Sequence, residues 1–124
     1  MKMIKETDLE NIKYKTVYDY YDQPISFMFE LYSKLYYANL IDYEGDTNTY
    51  IYWVNGVDIE SIKQSEEGKL PLYDFMTGLE EDEFVYIIAS RELSGSSLIT
   101  RLTQQQALDK YATKLPDRDT YLEV

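Results

Sequence analysis

The clearest alternation of apolar and polar positions lies between Ile25 and Leu31. All odd-numbered positions of this stretch are apolar, whereas the even-numbered ones are Ser26, Met28 and Glu30. A period of two is typical of a strand with one buried face, so we predict a half-buried strand here. Residues 12–21 are rich in Tyr, Thr and Val and predict a strand before it. The intervening Asp22, Gln23 and Pro24 favour a tight turn, because proline fixes its own φ and keeps the preceding residue extended.

Four further segments have strand composition and are separated by turn residues: 35–42, 49–55, 84–90 and 97–103. The segment 84–90 is the most apolar of them and is predicted to lie at the centre of the sheet. Helical spacing and end signals predict short helices over 58–68, 70–78 and 103–112. The tail is predicted to be extended and to dock through Leu115, Tyr121 and Leu122. The chain is therefore predicted to be one α+β domain over 1–124, with an antiparallel sheet of about five to six strands and short helices packed on one face.

Composition excludes several chemistries. The chain has no cysteine and no histidine, which excludes disulfides, thiolate catalysis and cysteine-bound metals and removes the commonest general base. No cofactor is predicted. The net charge is −11, from 23 acidic and 12 basic residues. Such a surface repels nucleic-acid phosphates and anionic lipid, so we expect no direct nucleic-acid or membrane binding, and a basic protein as partner. The N-terminus lacks the apolar region of a signal peptide, so a cytoplasmic location is expected.

Several short motifs occur in a recognisable order. They are "YYDQPISF" (20–27), "LYYANLID" (35–42), "YIYWV" (50–54), "GKLPLYDF" (68–75) and "LPDRDTYL" (115–122). This series resembles a family of small bacterial domains of unknown function, with a YYDxPxxF hairpin, a GxxxLxDF segment and an LPDxxxYL tail. The resemblance implies the fold and a bacterial or mobile-element origin, but no activity.

Three polar segments could hold a metal or a nucleophile. The loop from Asp42 to Asn48 alternates oxygen ligands as a calcium loop does, but Thr47 and Trp53 stand where an EF-hand needs Gly and Glu, so a polar hairpin loop is favoured. The run 80–83 is entirely acidic, and a solvated loop is favoured over a metal site because consecutive residues diverge. The turn around Ser94 lacks the G-x-S-x-G frame and a histidine base. We predict neither a catalytic nor a metal site.

Tyrosine is the unusual residue type, with 14 copies. Seven cluster on three predicted strands, and core packing is favoured for any single one, although outward-facing tyrosines beside carboxylates suit a protein partner. The predicted partner-binding residues are Asp19, Tyr20, Tyr21, Asp22, Tyr36, Asp42, Glu44, Asp46, Glu80, Glu81 and Asp82.

The leading hypothesis is a non-enzymatic interaction module that binds a protein partner through this acidic, tyrosine-rich surface. One alternative is a phage or mobile-element inhibitor whose carboxylates imitate nucleic-acid phosphates. Another is an enzyme or small-ligand domain that relies on carboxylates and tyrosines in a concave pocket. The sequence gives no oligomeric state.

Overall fold

The computed structural model describes residues 4–21, 23–79, 83–91 and 96–122. These residues form a six-stranded antiparallel sheet with three α-helices and two 3₁₀ helices. The strands are β1 (Lys13–Tyr21), β2 (Gln23–Leu31), β3 (Lys34–Glu44), β4 (Thr49–Gly56), β5 (Phe84–Arg91) and β6 (Ser96–Thr103). The helices are α1 (Ile59–Glu66), α2 (Leu72–Thr77) and α3 (Gln104–Tyr111), and the 3₁₀ helices are Glu6–Asn11 and Ala112–Lys114. The predicted α+β fold is confirmed.

The strands lie in the sheet in chain order, from β1 at one edge to β6 at the other, and each pairs antiparallel with its neighbours in sequence. The sheet is therefore a meander. The prediction that β5 lies at the sheet centre is wrong, because β5 is the strand next to the β6 edge. Its apolar run arises from burial on both faces: Val85 and Ile87 are buried on one side, Tyr86 and Ile88 on the other.

Short connections explain why β3 pairs with β2 and β4, its neighbours in the chain. Between β2 and β3, Tyr32 and Ser33 both have positive φ, 55° and 62°, as a two-residue hairpin turn of the primed type requires. Between β3 and β4, the Asn48 N–H donates to the Gly45 carbonyl at 3.3 Å, and Asn48 also has a positive φ of 48°. The loop after Asp42 is therefore a hairpin turn.

All three α-helices pack on one face of the sheet, as the sequence predicts. We call the cluster between sheet and helices the helical core; its buried members are Met28, Tyr37, Ile41, Ile51, Trp53, Ile62, Leu72, Phe75, Met76, Val85, Ile87, Ala107 and Leu122. Trp53 is fully buried, and its indole Nε1–H donates to the Met76 carbonyl at 3.2 Å. This contact fixes α2 over the middle of the sheet.

The helix starts follow the predicted caps. The Ser61 N–H donates to Asp58 Oδ1 at 2.7 Å at the start of α1. At the start of α3, Thr103 and Gln106 form the reciprocal capping box, with side chain–backbone distances of 3.2 and 3.0 Å.

The opposite face of the sheet carries a second apolar cluster, which we call the N-terminal core. Its buried members are Ile4, Phe27, Phe29, Leu31, Tyr36, Ala38, Tyr52, Val54, Tyr86 and Ile88, and Leu9 and Ile12 pack against them. Strand β2 is therefore buried on both faces, because Ser26 and Met28 are each only 6% exposed on the helical side. The prediction of a half-buried strand is wrong. The alternation did not reveal that the face with Ser26 and Met28 is also covered, by the helical core.

The C-terminal tail docks on the helical side. Leu122 is buried in the helical core, and Leu115 packs against it, as predicted. The Leu72 N–H at the start of α2 donates to the Thr120 carbonyl at 2.8 Å. Tyr121, by contrast, is 44% exposed, so the apolar side chains and a backbone hydrogen bond hold the tail in place.

Candidate functional site

The structure brings two groups of predicted binding residues to the same end of the sheet. Strands β1 and β3 both pair antiparallel with β2, so they run in the same direction. Asp19 and Tyr20 lie near the end of β1, while Glu44 ends β3 and Asp46 follows it in the hairpin loop. All four are exposed. This end of the sheet therefore presents exposed carboxylates from β1 and from the β3–β4 hairpin.

The remaining acidic predictions do not all join this group. Asp42 is partly buried and forms an ion pair with Lys114, with Nζ and Oδ2 3.6 Å apart. Glu83, directly before β5, lies at the opposite end of the sheet beside Lys34, at 3.9 Å. The predicted residues Asp22, Glu80, Glu81 and Asp82 lie outside the described residues, as do Ser94 and its neighbour Gly95; of Tyr21 only the backbone is described.

The predicted tyrosine cluster is divided between core and surface. Tyr36, Tyr37 and Tyr52 are buried, so core packing explains them, and Tyr18 and Tyr50 are partly buried. Tyr36 was predicted as a partner contact, but it is 4% exposed and its ring stacks on Phe29 with centroids 5.3 Å apart. Burial raises the pKa of Tyr36 to about 12, and the pKa values of Tyr37 and Tyr52 also rise above their usual range through burial.

The edge strand β1 carries three of the eight exposed large apolar side chains among the described residues. Tyr14, Val17 and Tyr20 are 54%, 45% and 61% exposed, although all three lie in one strand of nine residues. We call these three residues, with Asp19, the β1 edge surface; Tyr14 and Val17 stand opposite Phe29 and Phe27 of the N-terminal core, whereas Asp19 stands opposite Ser26 on the helical side. Sequence reasoning identified Asp19 and Tyr20 but missed Tyr14 and Val17. Their position in the first strand could have indicated their exposure, because the first strand of a meander must lie at a sheet edge.

Irregular pairing with β2 shapes this surface. The register shifts between Tyr14 and Thr16, between Val17 and Asp19, and between Asp19 and Tyr20. Such bulges twist an edge strand and turn side chains away from the core, which also discourages indiscriminate pairing with other strands. Tyr18 packs against the helical core, and its hydroxyl donates to Glu66 of α1 at 3.1 Å. Tyr18 thus holds β1 in place while its neighbours face solvent.

A polar crevice of about 280 Å³ lies at the opposite end of the sheet, where β3, β4 and the first two helices meet. Asp58, Asp74 and Glu83 line it together with Lys34. Asp58 caps α1 and Glu83 lies beside Lys34, so two of the three carboxylates already have structural contacts. In the described part of the chain no three acidic side chains come close enough to hold a metal ion.

Within the described ranges, no helix has both the length and the apolar character needed to cross a bilayer.

Comparison with known proteins finds no relative for this chain. No protein-family model matches it, and no curated protein or solved structure shows significant similarity. The resemblance to a family of small bacterial domains therefore remains an interpretation of the sequence motifs.

Proposed function

We propose that this protein is a non-enzymatic interaction module of the cytoplasm that binds a basic segment of a partner protein on the β1 edge surface. The observation that supports the proposal is the exposure of Tyr14, Val17 and Tyr20 along one edge strand. Tyrosine contributes large contact area with little loss of side-chain entropy, which is why it is enriched among the residues that dominate binding energy.

Charge favours a basic partner. Asp19 lies within the β1 edge surface, and Glu44 and Asp46 are exposed at the same end of the sheet. With a net charge of −11, the whole molecule attracts cationic surfaces and raises their rate of encounter. The tyrosine rings then supply apolar and cation–π contacts to the aliphatic stems and charged groups of Lys and Arg.

The nucleic-acid mimic is less well supported by the distribution of carboxylates. Among the described residues, exposed acidic side chains lie on β1, in the β3–β4 loop, along α1 and in the tail, rather than in one row. Several are partly neutralised by lysines, as in the pairs Lys15–Glu30 at 3.3 Å and Lys69–Glu67 at 3.0 Å. A duplex imitation requires a regular series of uncompensated charges.

The test is affinity capture from the native host with the purified chain, at low and at high salt. We expect a basic protein to be retained at low salt and released as salt screens the attraction. The variant Val17→Ser with Tyr20→Ala should reduce its retention by about tenfold or more, as loss of central interface residues does. Ile59→Ser is the matched control, because Ile59 is 77% exposed on α1 and does not belong to the β1 edge surface.

Two results would contradict the proposal. One is equal recovery of the same proteins by the double variant and the wild type. The other is loss of the captured protein with the Ile59→Ser control, which would place the interface on the helical side. Circular dichroism of all variants shows whether the fold is intact.

A further inference from the structure

The N-terminal core contains a cavity of about 260 Å³ that lies on the sheet face opposite the α-helices. Its lining comes from the N-terminal segment and from all six strands, so it lies across the sheet rather than at one loop. Leu9 and Ile12 cover it from the N-terminal side, and Phe27, Tyr52 and Ile88 form part of its floor. Nothing in the β1 binding proposal requires this cavity.

The sequence explains why this space is open. Ala38 lies in the middle of this sheet face, paired with Phe27 on β2 and with Val54 on β4, and is 1% exposed. A methyl group between larger neighbours leaves a depression in the sheet surface, which a bulkier residue at position 38 would fill. Leu9 and Ile12, which lie above Ala38, are only partly buried, so they do not close the cavity completely.

The lining selects an uncharged ligand. None of the described side chains that line the cavity carries a formal charge at neutral pH; the polar groups are hydroxyls. Ser90 and Ser97 stand opposite each other on β5 and β6 and place two hydroxyl groups side by side at one end. A carboxylate or phosphate would find no cation among the described lining residues and would face a molecule of charge −11. A hydroxyl or carbonyl group could hydrogen-bond to the serines.

Size and ring contacts define the ligand further. A cavity of roughly 150 Å³ holds benzene, so by proportion the space of this half-open cavity suits about ten non-hydrogen atoms. Tyr14, Phe27, Phe29 and Tyr52 present aromatic rings to it, and the Tyr14 and Phe27 rings already contact each other with centroids 5.1 Å apart. Rings of this kind prefer offset or edge-to-face contact with another aromatic ring.

We propose that this cavity binds a small uncharged aromatic molecule that carries one hydrogen-bonding group, with its ring packed against the contacting rings of Phe27 and Tyr52 and its polar group at Ser90 and Ser97. This ligand-binding site shares Tyr14 with the β1 edge surface but none of Val17, Asp19 and Tyr20. It involves no carboxylate and no catalytic step.

The probe is naphthol at neutral pH, with the naphthoate anion as the charged comparison, both measured by titration calorimetry against the full chain. We expect saturable one-to-one binding of naphthol, with naphthoate weaker by about tenfold or more because its charge would be buried unpaired. Ser97→Phe puts a ring into the cavity and should weaken naphthol binding by at least about tenfold.

Thr100→Phe is the matched control. It adds the same ring to β6, but Thr100 pairs with Ile87 and is exposed on the helical face. Its affinity for naphthol should stay within about twofold of the wild type, as expected for a change outside the binding site. In addition, methyl NMR of the wild type should show naphthol-induced shifts at Leu9, Val54 and Ile88, and not at Ile62 or Leu72 in the helical core.

The NMR measurement keeps the proposal testable even if Ser97→Phe does not fold. Three outcomes would overturn it: no naphthol binding up to the solubility limit of the probe, equal affinity for naphthol and naphthoate, or shifts confined to the helical core.

Discussion

The strongest single test of the fold concerns a buried chain of hydroxyl and amide groups in the sheet. The Ser26 hydroxyl lies within hydrogen-bond distance of the Tyr37 hydroxyl, which donates to Asn39 Oδ1 at 2.8 Å. The Asn39 amide in turn donates to the Leu40 carbonyl at 3.1 Å. Ser26, Tyr37 and Asn39 are 6%, 0% and 8% exposed, so water has little access to replace a missing partner.

The substitution Tyr37→Phe removes only the central oxygen of this chain. It leaves the Ser26 hydroxyl and Asn39 Oδ1 without their shared partner in a buried environment. A buried polar group that loses its partner costs about 1–3 kcal/mol, and partial relaxation reduces the sum for two such groups. We therefore expect Tyr37→Phe to lower the free energy of unfolding by about 2–3 kcal/mol.

The assay is urea denaturation followed by the fluorescence of Trp53, which is the only tryptophan of the chain and is fully buried. Tyr121→Phe is the matched control, because Tyr121 is 44% exposed and its change should stay within about 0.5 kcal/mol. Adding Ser26→Ala to Tyr37→Phe should cost less than Ser26→Ala alone, since the serine hydroxyl is then already unpaired. Equal stability of Tyr37→Phe and Tyr121→Phe would refute the reasoning.

Three further predictions concern other parts of the sheet. Trp53→Ala should lower the free energy of unfolding by about 3–5 kcal/mol, because it removes a fully buried ring and the hydrogen bond to Met76; urea denaturation followed by far-UV circular dichroism measures it. The pKa of Tyr36 is raised to about 12 by burial, against about 10 in the unfolded chain. The stability that the neutral Tyr36 hydroxyl contributes is therefore fully present below pH 10, and it is lost as pH rises toward 12 because only the unfolded chain releases the proton there. In that window Tyr36→Phe should reduce the alkaline loss of stability, by up to about 1.4 kcal/mol per pH unit, in urea titrations at successive pH values. Ser33→Gly should raise the melting temperature, since Ser33 has a φ of 62° that glycine adopts without strain; an unchanged or lower value would contradict this.

The sequence predicted the strands and their antiparallel order well because most signals were local. Turn residues separated the strands, and the spacing of Thr103 and Gln106 was enough to identify the start of α3. The second face of the sheet was not predictable in this way. Whether Met28 faces solvent or a core depends on what covers the sheet, and that cover is formed by residues distant in sequence. The same limit explains why the prediction of β5 at the sheet centre is wrong: its apolar run reflects cover on both faces, not a central position.

The candidate site was predictable only in part. Tyr20 and Tyr36 have similar sequence surroundings, yet one is 61% exposed and the other 4% exposed. The difference arises from strand position: β1 is an edge strand with shifted register, whereas β3 has strands on both sides. No property of a single tyrosine encodes this, so the sequence predicted Tyr20 and Tyr36 alike as partner contacts, although only Tyr20 is exposed.

The two ends of the described chain lie on opposite sides of the sheet, Ile4 in the N-terminal core and Leu122 in the helical core. Shortening the protein from one end therefore exposes one apolar layer and leaves the other covered. A short peptide joining these ends, as in a circular permutant, would have to pass around a sheet edge. Fluorescent or affinity fusions at either end need a flexible spacer, because a rigid fusion would disturb the packing of the buried Ile4 or Leu122 side chain.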